Sequence, residues 1–199
     1  GFIGRHLIQK LSKHSCKILI ITRHRNEEKN LKILGGLGQI SVISMSSYTL
    51  TNLEKILKNS DVVINLIGIL YESKSQSFEY VHEEIPSLLS KVANNVGVKS
   101  FIHFSALGVE NVRNSQYAKS KVNGEKVTIE NFSNAIILKP SVVFGSDDNF
   151  INLFSNISNF SPVLPIFGAP RLEKSKIFSR DFLFKSSVKF QPIYVGDLA

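Results

Sequence analysis

The sequence has one cysteine, Cys16, no tryptophan and no initiating methionine. A single thiol cannot close an internal disulfide, which excludes a cysteine-stapled scaffold, and its place just before an apolar run predicts a buried or half-buried side chain. Long hydrophobic runs are also missing. The longest, residues 62–70, is interrupted by Asn65 and falls far short of the ~20 residues that span a bilayer. The protein is therefore expected to be cytoplasmic, or peripheral on the inner face of a membrane. Acidic residues are scarce at two places: residues 1–32 carry a local charge of +6 and residues 171–189 one of +4, so the rest sums to −2 within a total of +8. That distribution excludes a uniformly cationic surface, and no nucleic-acid partner is expected. With 43% hydrophobic and 20% charged residues the chain is neither disordered nor collagen-like, and its length suits one domain.

What is present is alternation. Ile3, Leu7, Ile8 and Leu11 form one stripe with Arg5, Gln9, Lys10 and Lys13 opposite, so a helix starts almost at residue 1. Short apolar runs at 17–22, 40–44, 61–66, 99–104 and 135–139 read as strands covered on both faces. Helices are expected between them, near 27–34, 51–58, 78–95 and 115–130, with Pro86 kinking the third or marking its boundary. This order specifies an α/β protein with a doubly wound parallel sheet, whose first strand would lie upstream of residue 1. The expected organisation is a domain over 1–170, an exposed basic insertion over 171–189 and a return to the core over 190–199. Asp147 and Asp148 are expected to cap a helix beginning near Phe150, ahead of Pro162, Pro165 and Pro170.

Three signals carry chemistry. Gly1-Phe2-Ile3-Gly4 opens a helix as in a dinucleotide-binding turn, where the backbone approaches a pyrophosphate and the helix N-terminus supplies free N–H groups. After the next strand stands Thr22-Arg23-His24-Arg25 with no acid before Glu27, which favours a 2′-phosphate and hence NADP(H) over NAD(H). Tyr117 and Lys121 share one helical face, so the ammonium could stabilise a phenolate and reach a nicotinamide ribose, with Ser105 upstream to bond a substrate oxygen. The five histidines make no metal-ligand spacing with Cys16, and His82-Glu83-Glu84 lacks a second histidine, so no metal is expected. His103 is expected to be a packed core residue. The basic segment with Phe178, Phe182 and Phe184 is read as solvated rather than as a lipid or RNA contact.

With these residues the chain resembles the extended, atypical short-chain dehydrogenase/reductases. Gly1 to Leu7 is similar to the second half of their glycine motif, residues 61–68 to their strand over the cofactor, Phe101-Ile-His-Phe-Ser-Ala-Leu-Gly108 to the serine strand, and Tyr117 to Lys121 to the active-site helix. Lys139-Pro-Ser-Val-Val-Phe-Gly-Ser-Asp-Asp-Asn-Phe150 and Gln191-Pro-Ile-Tyr-Val-Gly-Asp-Leu-Ala199 resemble, within that family, the nucleotide-binding accessory subunits of respiratory complex I and their alphaproteobacterial relatives. The resemblance implies a tightly held NADP(H) in a structural or assembly role, with Gly1 and Gly4 facing the pyrophosphate, Arg23 the 2′-phosphate, Gly68 the cleft and Lys121 the ribose. Ser44-Met-Ser-Ser47 stands where that family has an acid for the adenine, which leaves the adenine contact unassigned. Two functions stay open: a non-catalytic cofactor-binding subunit of complex I or another membrane complex, and a reductase or epimerase acting on a small or nucleotide-linked substrate.

Overall fold

All five runs expected as strands form strands, with no edge moved by more than one residue. A computed structural model describes residues 1–23, 25–148, 151–160 and 191–199. His24, Phe150, the three later prolines and the expected insertion at 171–189 lie outside the described residues. In chain order the first unit, residues 1–140, runs α1 (Phe2–Leu11), β1 (Ile18–Thr22), α2 (Glu28–Lys32), β2 (Ile40–Ser44), α3 (Leu50–Leu57), β3 (Val62–Asn65), α4 (Ile85–Asn95), β4 (Ser100–Phe104), α5 (Gln116–Asn131) and β5 (Ile136–Leu138).

Among the described residues every strand pairing in this unit is parallel. β1 pairs with β2, Ile18 opposite Ile40, while β3, β4 and β5 form a second sheet with Val62 opposite Ser100 and Ile102 opposite Ile136. Laid side by side these are the doubly wound order 3-2-1-4-5-6 in which no described element fills the first strand's position, between β1 and β3. Strand residues alternate between two cores. Ile18 and Ile20 pack with Ile8 of α1 and Leu31 of α2, whereas Ile21 packs on the larger core of Leu53, Val63, Leu89, Val92, Phe101 and Phe132. Helices α1 and α2 thus cover one face of the strands and α3 to α5 the other, which is why the strands read as unbroken apolar runs.

Pro86 does not break its helix. Residues 78–95 are continuous, and a π-helical turn, Tyr80–Glu84, carries the chain past the missing N–H, with Ile85 N–H bonded to Tyr80 O. Cys16 departs from expectation: it is exposed, because the strand begins only at Ile18 and the thiol sits in the preceding turn, bonded to Leu11 O at 3.3 Å.

The second unit, residues 141–198, pairs β6 (Val143–Phe144) in parallel with β7 (Ile193–Tyr194), with Ser141 Oγ donating to Gln191 O. It also holds α6 (Ile151–Phe160) and α7 (Val195–Leu198). Asp148 turns its carboxylate back to accept from Gly145 N–H at 3.2 Å, and its carbonyl accepts from Asn152 Nδ2 of α6 at 2.8 Å; residues 149 and 150, which join it to α6, lie outside those described.

Candidate functional site

In a parallel sheet every loop that follows a strand emerges at one edge, and this edge gathers the expected site residues. Helix α1 runs back against the strands, so its N-terminus lies there too. Gly1 caps α1 with no side-chain hydrogen bond, so the first-turn N–H groups are open to an anion. A Cβ on Gly1 would meet nothing within 4 Å, and one on Gly4 would lie 3.5 Å from Leu66 Cδ1, an ordinary contact rather than the tight approach expected there. Phe2 sets its ring edge-on to His6 at 5.5 Å, and Ile3 is half-buried. Gly68, just past β3, is closely approached: a Cβ would stand 3.4 Å from Lys121 Nζ and 3.7 Å from His82 Nε2.

The loops after β1 and β2 enclose an open cavity of about 260 Å³, lined by Arg23, Ser46, Tyr48, Ile67, Gln76 and Tyr80 among others. Burial raises the Tyr48 phenol, and the Arg23 guanidinium opposes that rise, which places the cation close to the aromatic wall. Ser46 and Tyr48 occupy the place left without an adenine contact by the sequence.

Helix α5 carries Tyr117 and Lys121, the pair expected from the sequence. Ser115 caps it by accepting from Ala118 N–H at 3.2 Å, and Tyr117, Lys121 and Glu125 follow at four-residue steps on one face. Lys121 is buried and donates to Phe104 O at 3.2 Å. Burial pushes its ammonium down to about 8, against a smaller pull upward from Glu125. The Tyr117 ring meets Phe78 and His82 edge-on at 5.8 and 5.5 Å. Burial raises its phenol, the opposite of the lowering expected from Lys121, whose ammonium donates to the Phe104 carbonyl.

The Ser105 hydroxyl, expected to face a substrate oxygen, is buried and donates to Glu125 Oε1 at 2.5 Å. Glu125 Oε2 in turn pairs with Lys139 Nζ at 2.8 Å, and Lys139 also approaches Glu110 at 3.7 Å. Ser105 N–H donates to Leu138 O, so side chain and backbone together tie the serine to the end of β5. The sequence reading missed Glu125, although the four-residue step from Lys121 was there to extend.

Beneath the pair lie two buried histidines. His82 Nε2 accepts from Ile69 N–H at 3.1 Å, so the neutral ring carries its proton on Nδ1 and donates to Ser120 Oγ at 2.9 Å. Asn65 accepts Ile67 N–H through Oδ1 and donates to His103 Nδ1 at 3.0 Å, which leaves the proton on His103 Nε2 facing no partner. Burial pushes both rings down to about 4, with the Lys121 charge adding to each. His103 is the packed core residue expected of it. His82 instead holds the loop after β3. Among the described residues no cluster of His, Cys, Asp or Glu is arranged for a metal, and no helix is long and apolar enough to cross a membrane.

The chain is similar to mitochondrial NADH dehydrogenase (ubiquinone) 1 alpha subcomplex subunit 9 of Mus musculus, 32% identical over all of this chain and 49% of that protein. It is likewise 30% identical to the Dictyostelium discoideum protein of that name, over all of this chain and 51% of the relative. The chain therefore spans about half the length of these curated relatives. In fold it is similar to the UDP-glucuronic acid 4-epimerase from Bacillus cereus solved with UDP-glucuronic acid and NAD, with a TM-score of 0.65 and 24% identity over 80% of this chain and 60% of that one. The model of the NmrA-like family matches residues 1–160, which take in all five strands of the first unit and the whole α5 face. The chain belongs to the NmrA-like family.

Proposed function

We propose that this protein holds NADP(H) as a bound cofactor within a respiratory complex I-associated subunit and does not turn over a substrate. Its likeness to mitochondrial complex I subunits along the whole chain supports the partner. The residues present suit such a cofactor: uncapped N–H groups at α1, a cavity beside Arg23 for the adenosine end with its 2′-phosphate, and Lys121 beside the Gly68 backbone for the ribose. Bound there, the nicotinamide would supply or accept a hydride. The observation that carries the non-catalytic reading is the state of the proton-handling groups. Tyr117 is raised by burial with nothing opposing it, and the single proton of Ser105 is committed to a carboxylate that outcompetes a neutral carbonyl.

The alternative, an NADP-dependent reductase or epimerase, is favoured by one feature, the shared helical face of Tyr117 and Lys121. Mass spectrometry of the ligand released from native full-length protein decides the cofactor, with NADP(H) expected. Turnover with a carbonyl or sugar-nucleotide substrate that Tyr117→Phe abolishes would overturn the non-catalytic role.

A further inference from the structure

The opposite edge of the strands, where loops lead into them, has a surface the cofactor site does not use. Gln39 Nε2 donates to three carbonyls of the turn before β1: Ser12 at 3.1 Å, His14 at 3.0 Å and Cys16 at 3.1 Å. Its Oε1 accepts from Gly36 N–H at 2.9 Å, closing its own loop before β2. One side chain thus locks residues 12–16 and 36–39 into a single ledge.

That ledge is cationic and apolar together. Lys10, Lys13, His14 and Lys17 are exposed, and among the described residues none of the three lysines has an acidic partner. No Asp or Glu occurs in residues 1–26 or 29–53, so neither segment of the ledge carries a carboxylate of its own. Leu37 stands at the tip of the locked loop fully exposed, at 108%, and Ile33 before it is exposed at 79%. Water is a poor environment for two exposed aliphatic side chains, Leu37 on the locked turn and Ile33 at the end of α2. An anionic bilayer surface suits both parts, with headgroups for the ammonium groups and acyl chains for the tips. An acidic protein face would match the lysines but offers nothing in particular to Leu37.

We infer that this ledge is a peripheral docking surface for anionic phospholipid, with Leu37 and Ile33 as insertion tips and Lys10, Lys13 and Lys17 as headgroup contacts. It lies at the edge opposite Arg23, Gly68 and Ser105, so docking leaves the cofactor cleft open. The inference is independent of the cofactor reading.

Flotation of the full-length protein with vesicles of phosphatidylcholine containing phosphatidylglycerol, against phosphatidylcholine alone, tests it. Each lysine near such a surface strengthens binding about five-fold, so Lys13→Gln with Lys17→Gln is expected to weaken it about 30-fold. Leu37→Ser is expected to weaken it about ten-fold. Both changes lie on exposed side chains away from either core. Leu37→Trp, read as the difference in emission from the parent protein, reports insertion as a blue shift of the added indole on anionic vesicles. Absence of binding to anionic vesicles, equal binding to both vesicle types, or an unshifted indole emission with vesicles bound each overturns the inference. The first of these outcomes would assign the charge to an acidic protein face instead.

Discussion

The contact that sets the depth of the site is between Gly124 and the carbonyl of His82, and replacing that glycine is the most demanding test of the geometry. A Cβ at Gly124 would lie 1.9 Å from His82 O and 3.1 Å from its carbonyl carbon. Carbon and carbonyl oxygen otherwise approach to about 3.3 Å, so α5 would have to move away by more than about 1 Å. Neither atom belongs to a side chain that can rotate aside. The clash therefore falls at the upper end of overpacking, about 3 kcal/mol, against about 1 kcal/mol gained from alanine's helix propensity. For Gly124→Ala the net loss is about 2 kcal/mol, a fall in Tm of about 4–8 °C for a chain of this size.

Pro86 is the reason the carbonyl is there: it has no N–H for His82 O, and the π-helical turn presents that oxygen toward α5. The same displacement would carry Tyr117 and Ser120 on α5 away from the His82 ring, so NADPH affinity should fall with stability. Thermal unfolding followed by circular dichroism, with NADPH titration on the folded variant, reads both. A Gly124→Ala protein as stable as the parent, or more so, would refute the close approach and leave propensity as the larger effect.

Three further outcomes follow from the site. Because folded His82 and His103 sit at about 4 and the unfolded rings near 6.5, the unfolded chain binds more protons between those values. Stability is thus complete above about pH 6.5 and is lost as pH falls toward 4, by up to about 3 kcal/mol per ring. Urea midpoints measured from pH 7.5 to 4.5 should drop accordingly, and a flat profile would contradict the buried neutral rings. Ser105→Ala removes one donor from a carboxylate that is only 12% exposed and should cost about 2 kcal/mol in urea unfolding while leaving NADPH affinity unchanged. A weaker cofactor with unaltered stability would return Ser105 to the cleft. Arg23→Ala should weaken NADPH about ten-fold or more and leave NADH within about two-fold, since only the 2′-phosphate is at stake. Equal loss for both would remove the phosphate role.

The fold was legible because its strands carry apolar side chains toward both faces. Ile18, Ile20 and Ile21 serve two cores, and that demand writes an unbroken apolar run that needs no tertiary knowledge to read. Tyr117 and Lys121 were legible for a related reason: four-residue spacing fixes a shared face. What spacing does not fix is the direction a side chain takes when a stronger partner is near. Lys121 turns to the Phe104 carbonyl, and Ser105 is taken by Glu125, which is itself anchored by Lys139 from the end of another strand. Those partners are 14 to 20 residues apart in sequence and meet where α5 lies beside the paired ends of β4 and β5. Cys16 was misread because an apolar run does not say where pairing starts, and here pairing starts at Ile18.

The two edges of the sheet are stiffened by the same device, a polar side chain bonded to the backbone of a loop. At the carboxyl edge His82 accepts Ile69 N–H, and Asn65 accepts Ile67 N–H, so the chain beside Gly68 is fixed before any ligand arrives. At the amino edge Gln39 donates to three carbonyls of the turn before β1. A loop held this way has already lost its conformational entropy on folding, so binding there costs less ordering than at a mobile loop. Tight retention of a cofactor is the expected result at the first edge. Turnover has a different requirement, a proton that can leave or arrive, and at this edge the serine proton is bonded to Glu125 and the phenol is raised by burial. Preorganised binding combined with immobilised protons is the physical distinction between holding a dinucleotide and using it.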